Sequence, residues 1–238
     1  MSRPLQRSLV WLTGAAAGLA LIGVLLVAVI VYKAADMSFY ETEYIKYGNS
    51  LSLRMTEADL LTATAELLAY LRGEAPDMNI SAVIGGQVQE MFNEREKAHM
   101  VDVRLLYRRV TLAAAALALL CLLGGGLWVW RRGWRAAAVV WSRGYLTALA
   151  AVIIVFLILT FAITRNFTAF WTNFHGVFFT NDLWLLNPAT DRMIVMFPEG
   201  FFFDLVSEIL RLWAICAGGA GVFACGTAWV FGKEGLVK

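Results

Sequence analysis

The sequence predicts an all-α membrane protein, a bundle of four transmembrane helices with a small, mainly helical extracytoplasmic cap that holds a candidate β-hairpin. Hydrophobic residues make up 60% of the 238-residue chain, and charged residues make up only 16%. Four apolar stretches are each about 20 residues long, enough to cross the hydrocarbon core as a helix. Because lipid offers the backbone no hydrogen-bond partners, each stretch must be helical.

The chain is interpreted as a single membrane domain over residues 1–238. Arg3 and Arg7 precede the first apolar stretch, as in a signal peptide, but this stretch is longer than the roughly 7–15 residues of a signal peptide's apolar region. We therefore interpret it as a retained membrane anchor. The predicted spans are residues 9–31, 110–130, 144–163 and 212–231.

Positive charges predict that both termini are cytoplasmic (N-in, C-in), because Lys and Arg concentrate in short cytoplasmic loops. The connection 131–143 carries four arginines and no acidic residue. The terminal tails add charges on the same side. Loops 32–109 and 164–211 then form the extracytoplasmic cap, where the arginines just before the second span have less influence because they belong to a long loop. The charged tail residues are Arg3, Arg7, Lys233 and Lys238.

Local signals predict three elements within the first cap loop. Thr56, with Asp59 three residues later, is typical of a helix N-cap, and Gly73 marks the end of that helix. The segment Ile80–Gln89 predicts a hairpin around a Gly-Gly turn. From Glu90 the pattern becomes helical again, and we expect this helix to continue into the second span.

Both histidines of the chain, His99 and His175, fall in the predicted cap. The pKa of histidine is the closest to neutral pH among side chains, which suits proton transfer at a lipid surface. The loop around His175 is rich in aromatic residues, which are interpreted either as an interfacial belt or as a floor for acyl chains. A lone histidine is more often structural than catalytic, and the sequence does not show that the two meet.

Arg95, His99 and Asp102 share one face of the helix that leads to the second span. Asp102 could orient the His99 imidazole or stabilise its cation. The plainer interpretation is a solvated face whose ion pairs contribute little. The sequence has no Gly-x-Ser-x-Gly elbow, HExxH or CxxC motif, and no phosphate-binding loop. All cysteines lie in predicted spans (Cys121, Cys216 and Cys225). We therefore expect no covalent acyl-enzyme and no metal site.

Five further features carry a resemblance to a known family. They are Tyr70–Gly73 at a helix end, Phe92–Val103 and Phe174–Phe179 around the histidines, Trp184, and Phe197–Phe202. Together with four spans and a large first cap loop, they resemble the bacterial lipoprotein intramolecular transacylases. The resemblance extends from about the first span to the last, and the two histidine segments are its most specific part.

The resemblance implies an acyltransferase without a cofactor in the bacterial cell membrane, with its active site at the extracytoplasmic interface. Its partners are diacylglyceryl lipoproteins and membrane lipids, not nucleic acid. It moves the sn-2 acyl chain of a lipoprotein to the α-amino group of the N-terminal cysteine, giving the N-acyl, lyso-form product. The implied catalytic pair is His99 and His175. The residues expected to position substrate are Arg95, Asp102, Trp171, Asn173, Phe174, Phe178 and Trp184.

The role of each histidine stays open at this point. We favour His99 as the base because Asp102 could stabilise its cation, but the assignment could be reversed. Three alternatives to a transacylase also stay open: a non-enzymatic four-helix accessory protein, a lipid hydrolase that releases free fatty acid, and a copper- or haem-binding membrane protein. The oligomeric state and the preferred lipoproteins are not predicted.

Overall fold

The structure, a computed structural model, describes residues 3–234, with side chains from residue 8 to residue 232. The described residues form an almost entirely helical chain with one small antiparallel hairpin, which confirms the predicted fold class. Four of its helices are long and apolar enough to cross a membrane, namely α1, α5, α6 and α9. The elements are α1 (Arg3–Ala34), α2 (Met37–Tyr47), α3 (Asn49–Leu53), α4 (Glu57–Arg72), β1 (Ser81–Ile84), β2 (Gln87–Glu90), α5 (Glu94–Arg132), α6 (Trp134–Arg165), α7 (Phe167–Phe178), α8 (Arg192–Met196) and α9 (Glu199–Glu234).

The four long helices extend beyond the apolar spans. Between α5 and α6 only Gly133 is non-helical, with a φ of 78°, so helices fill almost all of the segment 131–143 that the sequence analysis assigns to a loop. Hydropathy marks only the part of a helix that suits lipid, whereas backbone hydrogen bonds continue into polar sequence. The side chains of the charged tail residues Arg3, Arg7, Lys233 and Lys238 lie outside the described residues.

The chain divides into two compact units. The first comprises Met1–Val29, Thr111–Arg165 and Ile209–Lys238, and the second comprises Ile30–Val110 and Asn166–Glu208. In the first unit, α1 and α6 approach closely, since a Cβ added to Gly144 would lie 2.1 Å from the carbonyl carbon of Gly14. Small residues at such crossings allow helices to pack in lipid without a hydrophobic driving force.

The second unit confirms two of the local predictions and corrects a third. Thr56 caps α4 by accepting a 3.1 Å hydrogen bond from the Asp59 N–H. Gly85 and Gly86, with φ of 61° and 82°, form the turn between β1 and β2. Positive φ at both turn residues matches the twist of a two-residue hairpin. The helix expected from Glu90 begins only at Glu94, because Glu90 pairs with β1 and a new cap follows it.

The core of the second unit packs α2, α4, the hairpin and the start of α5 around aromatic and aliphatic side chains. Tyr44 and Thr64, both buried, share a 2.7 Å hydrogen bond at its centre, so the hydroxyl groups are satisfied within the apolar surroundings. This packing makes the start of α5 part of a solid core. The largest apolar side chains that are less than 2% exposed include Leu60, Met91, Phe92, Met196 and Phe201.

Candidate active site

The first turn of α5 is fixed by a buried carboxylate. Glu96, only 1% exposed, accepts hydrogen bonds from the backbone N–H groups of Asn93 and Met193 at 2.7 and 2.6 Å. Asn93 in turn accepts from the Glu96 N–H at 3.0 Å, which completes a capping box. Burial raises the pKa of Glu96. These bonds tie the start of α5 to α8 and so determine where the next turn of α5 places its side chains.

That next turn carries His99, ahead of the apolar stretch 110–130. The side chain is 7% exposed, and its ring meets Phe179 edge-on at 5.3 Å between centroids. Its Nδ1 atom has no hydrogen-bond partner among the described residues. Burial, and then the proximity of His175, lower the pKa of His99 to about 4, although Asp102 raises it slightly. His99 is therefore neutral at pH 7.

The second histidine lies on α7, a helix that the sequence analysis did not predict. Asn166 caps it by accepting from the Ala169 N–H at 2.9 Å. Phe167, Trp171 and His175 recur at four-residue intervals, so they share one face of the helix. Interpreting these aromatic residues only as an interfacial belt or as a floor for acyl chains overlooks their four-residue helical spacing.

His175 is 8% exposed and oriented by a hydrogen bond, since its Nδ1 lies 2.7 Å from the Trp171 carbonyl oxygen. A carbonyl can only accept, so Nδ1 carries the proton in this contact. In the neutral ring Nε2 then keeps a free lone pair, which is the arrangement of a general base. Burial lowers the pKa of His175, and the hydrogen bond to Trp171 opposes this in part.

Aromatic rings enclose the His175 imidazole. Trp184 stacks on it at 4.8 Å with 26° between the planes, and Trp171 meets it edge-on at 4.8 Å. Phe174 is also edge-on, at 5.7 Å. Trp171 itself stacks on Phe174 at 5.3 Å and on Phe202 at 4.5 Å. Since rings on several sides restrict rotation, His175 is held in one orientation within an apolar wall.

The two histidines, distant in sequence, are neighbours in the second unit. Their ring centroids lie 6.2 Å apart with 35° between the planes, and Phe179 contacts both rings. Two neutral imidazoles at this separation can act on one reacting group, one accepting a proton and the other donating a hydrogen bond.

The segment 180–191, which joins α7 to α8, is fastened to α5 near the histidines; we name it the connecting segment. Arg95 donates to the backbone carbonyl of Asp182, and its guanidinium is 3.5 Å from the Asp182 carboxylate. Asn181 Nδ2 donates to the Asp102 carboxylate at 2.8 Å. The Trp184 indole N–H donates to the Asn181 carbonyl at 2.9 Å.

The structure thus separates the predicted site residues into groups. Trp171, Phe174 and Trp184 contact the His175 ring, whereas Arg95 and Asp102 bind the connecting segment. Asp102 does not orient His99 by a hydrogen bond in the described structure, because its carboxylate accepts from Asn181, but its charge raises the pKa of His99.

Two predicted residues lie away from the imidazoles. Asn173 is exposed on α7. Phe178 is 47% exposed, and its ring contact is with Phe174 at 4.8 Å. Helical geometry explains both, since Asn173 and Phe178 are two residues before and three residues after His175, and the inward face is the one that carries Trp171 and Phe179.

Sequence reasoning missed Phe179, Asn181 and the capping pair Asn93 and Glu96. Phe179 is four residues after His175, so recognition of α7 would have placed it on the inward face. The Asn-x-x-Glu spacing before a helix is a legible capping signal. Asn181 has no local signal, because its partner Asp102 comes from another part of the chain.

Comparisons with known proteins bear on these observations. The sequence model of the family described as "Lipoprotein intramolecular transacylase Lit" matches residues 16–202. The chain belongs to this family. It is therefore an enzyme, a transferase, and a multi-pass membrane protein, and the non-enzymatic accessory protein considered above is set aside. A search of curated proteins gave no match.

Solved structures agree in fold. The in meso structure of the membrane integral lipoprotein intramolecular transacylase Lit from Bacillus cereus is 19% identical, with a TM-score of 0.70, covering 99% of this chain and 100% of that one. Two structures of the same B. cereus protein carry a histidine replaced by alanine or by arginine. Each is 19% identical to this chain, with a TM-score of 0.64 and a match that covers 99% of this chain. The match covers 98% of the alanine variant and 96% of the arginine variant. At this identity the likeness shows the fold alone.

Proposed function

We propose that this enzyme moves the sn-2 acyl chain of a diacylglyceryl lipoprotein to the α-amino group of its N-terminal cysteine, with acid–base catalysis by His99 and His175. The observation that carries the proposal is the histidine pair itself. The only two histidines of the chain come from different helices and lie with ring centroids 6.2 Å apart in buried aromatic surroundings. Family membership supports the reaction class.

The reaction needs one proton acceptor and one proton donor. The amine nitrogen attacks the ester carbonyl carbon, a C–N bond forms, and the bond from that carbon to the glyceryl oxygen breaks. The amine loses one proton and the glyceryl oxygen gains one, so no proton is consumed overall. One imidazole accepts the amine proton and, as the imidazolium, returns it to the departing glyceryl oxygen, while the other imidazole stays neutral and donates a hydrogen bond. No covalent acyl-enzyme is needed, and acid–base help of this kind contributes about 10²–10⁴-fold in rate.

We assign the base, which then returns the proton as an acid, to His175, and the hydrogen-bond donor to His99. The bond from His175 Nδ1 to the Trp171 carbonyl leaves Nε2 free to accept the amine proton, and that carbonyl then stabilises the cation. His99, with its pKa lowered to about 4, stays neutral and donates a hydrogen bond to the ester oxygen. This reverses the preference drawn from the sequence, in which Asp102 stabilises the His99 cation: the Asp102 charge raises the pKa of His99, but burial and then His175 lower it.

Positioning supplies the rest of the rate. Attack closes a ring through the carbonyl carbon, the ester oxygen, two glyceryl carbons, the sulfur, Cβ, Cα and nitrogen, which a flexible substrate seldom does unaided. Well-oriented intramolecular reactions reach effective molarities of about 10⁵–10⁸ M. The stacked rings of Trp171, Phe174 and Phe202 offer an apolar wall against which the acyl chains can fold. Because this apolar surface excludes water, water does not compete with the amine for the acyl group.

We also propose that the site faces the extracytoplasmic side of a bacterial cell membrane, with both termini in the cytoplasm. Support comes from the four arginines between residues 131 and 143, which have no acidic neighbour in that segment. Diacylglyceryl lipoproteins lie anchored in the membrane, so a membrane-integral enzyme can act on them without extracting the lipid.

A labelling experiment with the purified enzyme tests the proposal. The substrate is a diacylglyceryl-cysteinyl peptide with a free N-terminus and a deuterated sn-2 chain, mixed with an unlabelled peptide of different sequence. Tandem mass spectrometry should find the deuterated chain on the cysteine nitrogen of the same peptide. Free deuterated fatty acid would indicate a hydrolase instead, and label on the other peptide's nitrogen would show that the transfer is not intramolecular.

A further inference from the structure

We infer that Asn181 is a positioning residue for acyl transfer, because it links Asp102 on α5 to the indole that holds His175. The inference deepens the proposed function and rests on it, since it treats His175 as a reacting group. It also gives Asp102 a different role, in which its carboxylate anchors the connecting segment and acts on His175 through Asn181 and Trp184.

Three hydrogen bonds define the link. Asn181 Nδ2 donates to Asp102 Oδ2 at 2.8 Å, and Asn181 Oδ1 accepts from the Leu183 N–H at 3.1 Å. The Asn181 backbone carbonyl accepts from the Trp184 indole N–H at 2.9 Å. Asn181 therefore binds both the Leu183 backbone and the Trp184 indole. The indole ring lies against the His175 imidazole, with 4.8 Å between centroids.

The anchors on α5 lie on both sides of His99. Asp102 is about one helical turn after His99, and Arg95 is about one turn before it, on the same face. Arg95 binds Asp182, the residue next to Asn181 in the connecting segment. The helix that carries His99 therefore holds, through two adjacent residues, the segment whose Trp184 covers His175. The separation of the two imidazoles depends on this fastening.

The residue type at position 181 is specific. The amide donates to the Asp102 carboxylate through its nitrogen while its oxygen accepts from Leu183. An aspartate there would keep the bond from Leu183 but place two carboxylates against each other. Exchanging the two side chains would restore one charge-assisted bond in the reverse direction, because the amide at 102 would donate to the carboxylate at 181.

The test uses this exchange. We expect Asn181→Asp to lower kcat about tenfold, as expected for the loss of one hydrogen bond to a charged group, with KM within about twofold of the wild-type value. The double variant Asn181→Asp/Asp102→Asn should recover kcat to within about threefold of wild type. Asn79→Asp, the same chemical change on the same unit, is the matched control, since Lys97 Nζ lies 3.1 Å from Asn79 Oδ1 and can accommodate the charge.

A direct role of Asp102 on His99 predicts a different pattern. Asp102→Asn alone would then lose as much activity as Asn181→Asp, and the double variant would remain as impaired as either single variant. That pattern would overturn the inference, and so would an Asn181→Asp enzyme with unchanged kcat. Expression and thermal stability equal to those of Asn79→Asp show that the variants are folded.

A second measurement does not depend on activity. The chain has only two histidines, so the imidazole NMR spectrum of labelled protein contains two sets of signals, which His99→Gln assigns. The stacked Trp184 indole shifts the His175 ring protons upfield. We expect Asn181→Asp to move these signals and the double variant to return them. An unmoved His175 signal would overturn the inference even if the wild type transfers acyl groups. A wild type that makes no N-acyl product would refute the proposed function, while the NMR result would still decide the link.

Discussion

His175 on α7 and His99 on α5 differ in how firmly each ring is held. The His175 ring has a hydrogen bond from Nδ1 to the Trp171 carbonyl and lies against the rings of Trp171, Phe174, Phe179 and Trp184. The His99 ring meets Phe179 and His175, and its Nδ1 has no partner among the described residues.

In the proposed mechanism, this difference suits the two rings to two different roles. A ring with a fixed tautomer suits the base, because its accepting nitrogen always points the same way. A ring with an unpaired buried nitrogen retains hydrogen-bonding capacity that a polar substrate group can satisfy. Burial keeps both rings neutral at pH 7, since it lowers the pKa of each.

The largest expected effect is loss of the pair itself. His175→Gln and His99→Gln should each lower kcat by about 10²–10⁴-fold, the range of general acid–base catalysis. Because the two rings act as a unit, the kcat of the double variant should be no more than about tenfold below that of the less active single variant. Full multiplication of the two losses would show that the rings act independently. Single-turnover rates measure each value.

The second largest effect should be loss of activity in acid, and the lowered pKa values of the two histidines set the pH range in which it occurs. Both histidine pKa values lie below the ordinary 6.5, that of His99 at about 4, so the neutral rings persist as the pH falls through 6.5. We expect kcat to hold from pH 8 to about 6 and to fall between about pH 6 and 4, by tenfold or more.

Stability provides the control for that profile. A histidine with a lowered folded-state pKa stabilises the fold fully above 6.5, and this contribution is lost as the pH falls towards about 4. Enzyme exposed to acid should therefore be returned to pH 7 and assayed again, to separate protonation from unfolding. A reversible midpoint at or above 6.5 contradicts the account.

Two adjacent phenylalanines differ in their contacts with the imidazoles. Phe179 contacts both imidazoles and is buried, whereas Phe178 contacts Phe174 and is 47% exposed. Phe179→Ala should lower kcat about tenfold, because it removes the ring that packs against both histidines, a contact of about 1 kcal/mol to each. Phe178→Ala should change kcat about twofold at most. Equal losses in the two variants would mean that the aromatic wall acts only as a bulk surface.

The smallest expected effect concerns the polar edge of Trp184. Trp184→Phe keeps a ring against His175 but loses the indole N–H that donates to the Asn181 carbonyl. We expect kcat to fall about threefold, which corresponds to a hydrogen bond of under 1 kcal/mol. Trp184→Ala removes the stacking as well and should fall about tenfold. If the alanine variant matches the phenylalanine variant, stacking does not orient His175.

Local signals were enough to predict the elements that lie within one stretch of sequence. The four apolar spans, the Thr56 cap and the Gly85-Gly86 hairpin each depend on neighbouring residues, and the structure contains all of them. The end of a long apolar helix is harder to predict, as the largely helical segment 131–143 shows, because the hydropathy falls before the backbone hydrogen bonds end.

Contacts between distant segments could not be predicted in the same way. The two histidines were singled out because they are the only ones, but nothing in the sequence shows that their rings lie 6.2 Å apart. Asp102 has the right spacing to assist His99 on a helix, yet its carboxylate binds Asn181. Helical spacing shows which residues can meet along one helix, whereas tertiary contacts decide which of them do.

The most direct test of the account locates the acyl group on a lipoprotein from cells that express this chain. Tandem mass spectrometry of the N-terminal lipopeptide is required, because intramolecular transfer leaves the total mass unchanged. We expect N-acyl cysteine fragments with the wild type and only diacylglyceryl fragments with well-expressed His99→Gln and His175→Gln. N-acyl fragments that persist in either variant would contradict the claim that the pair performs the transfer.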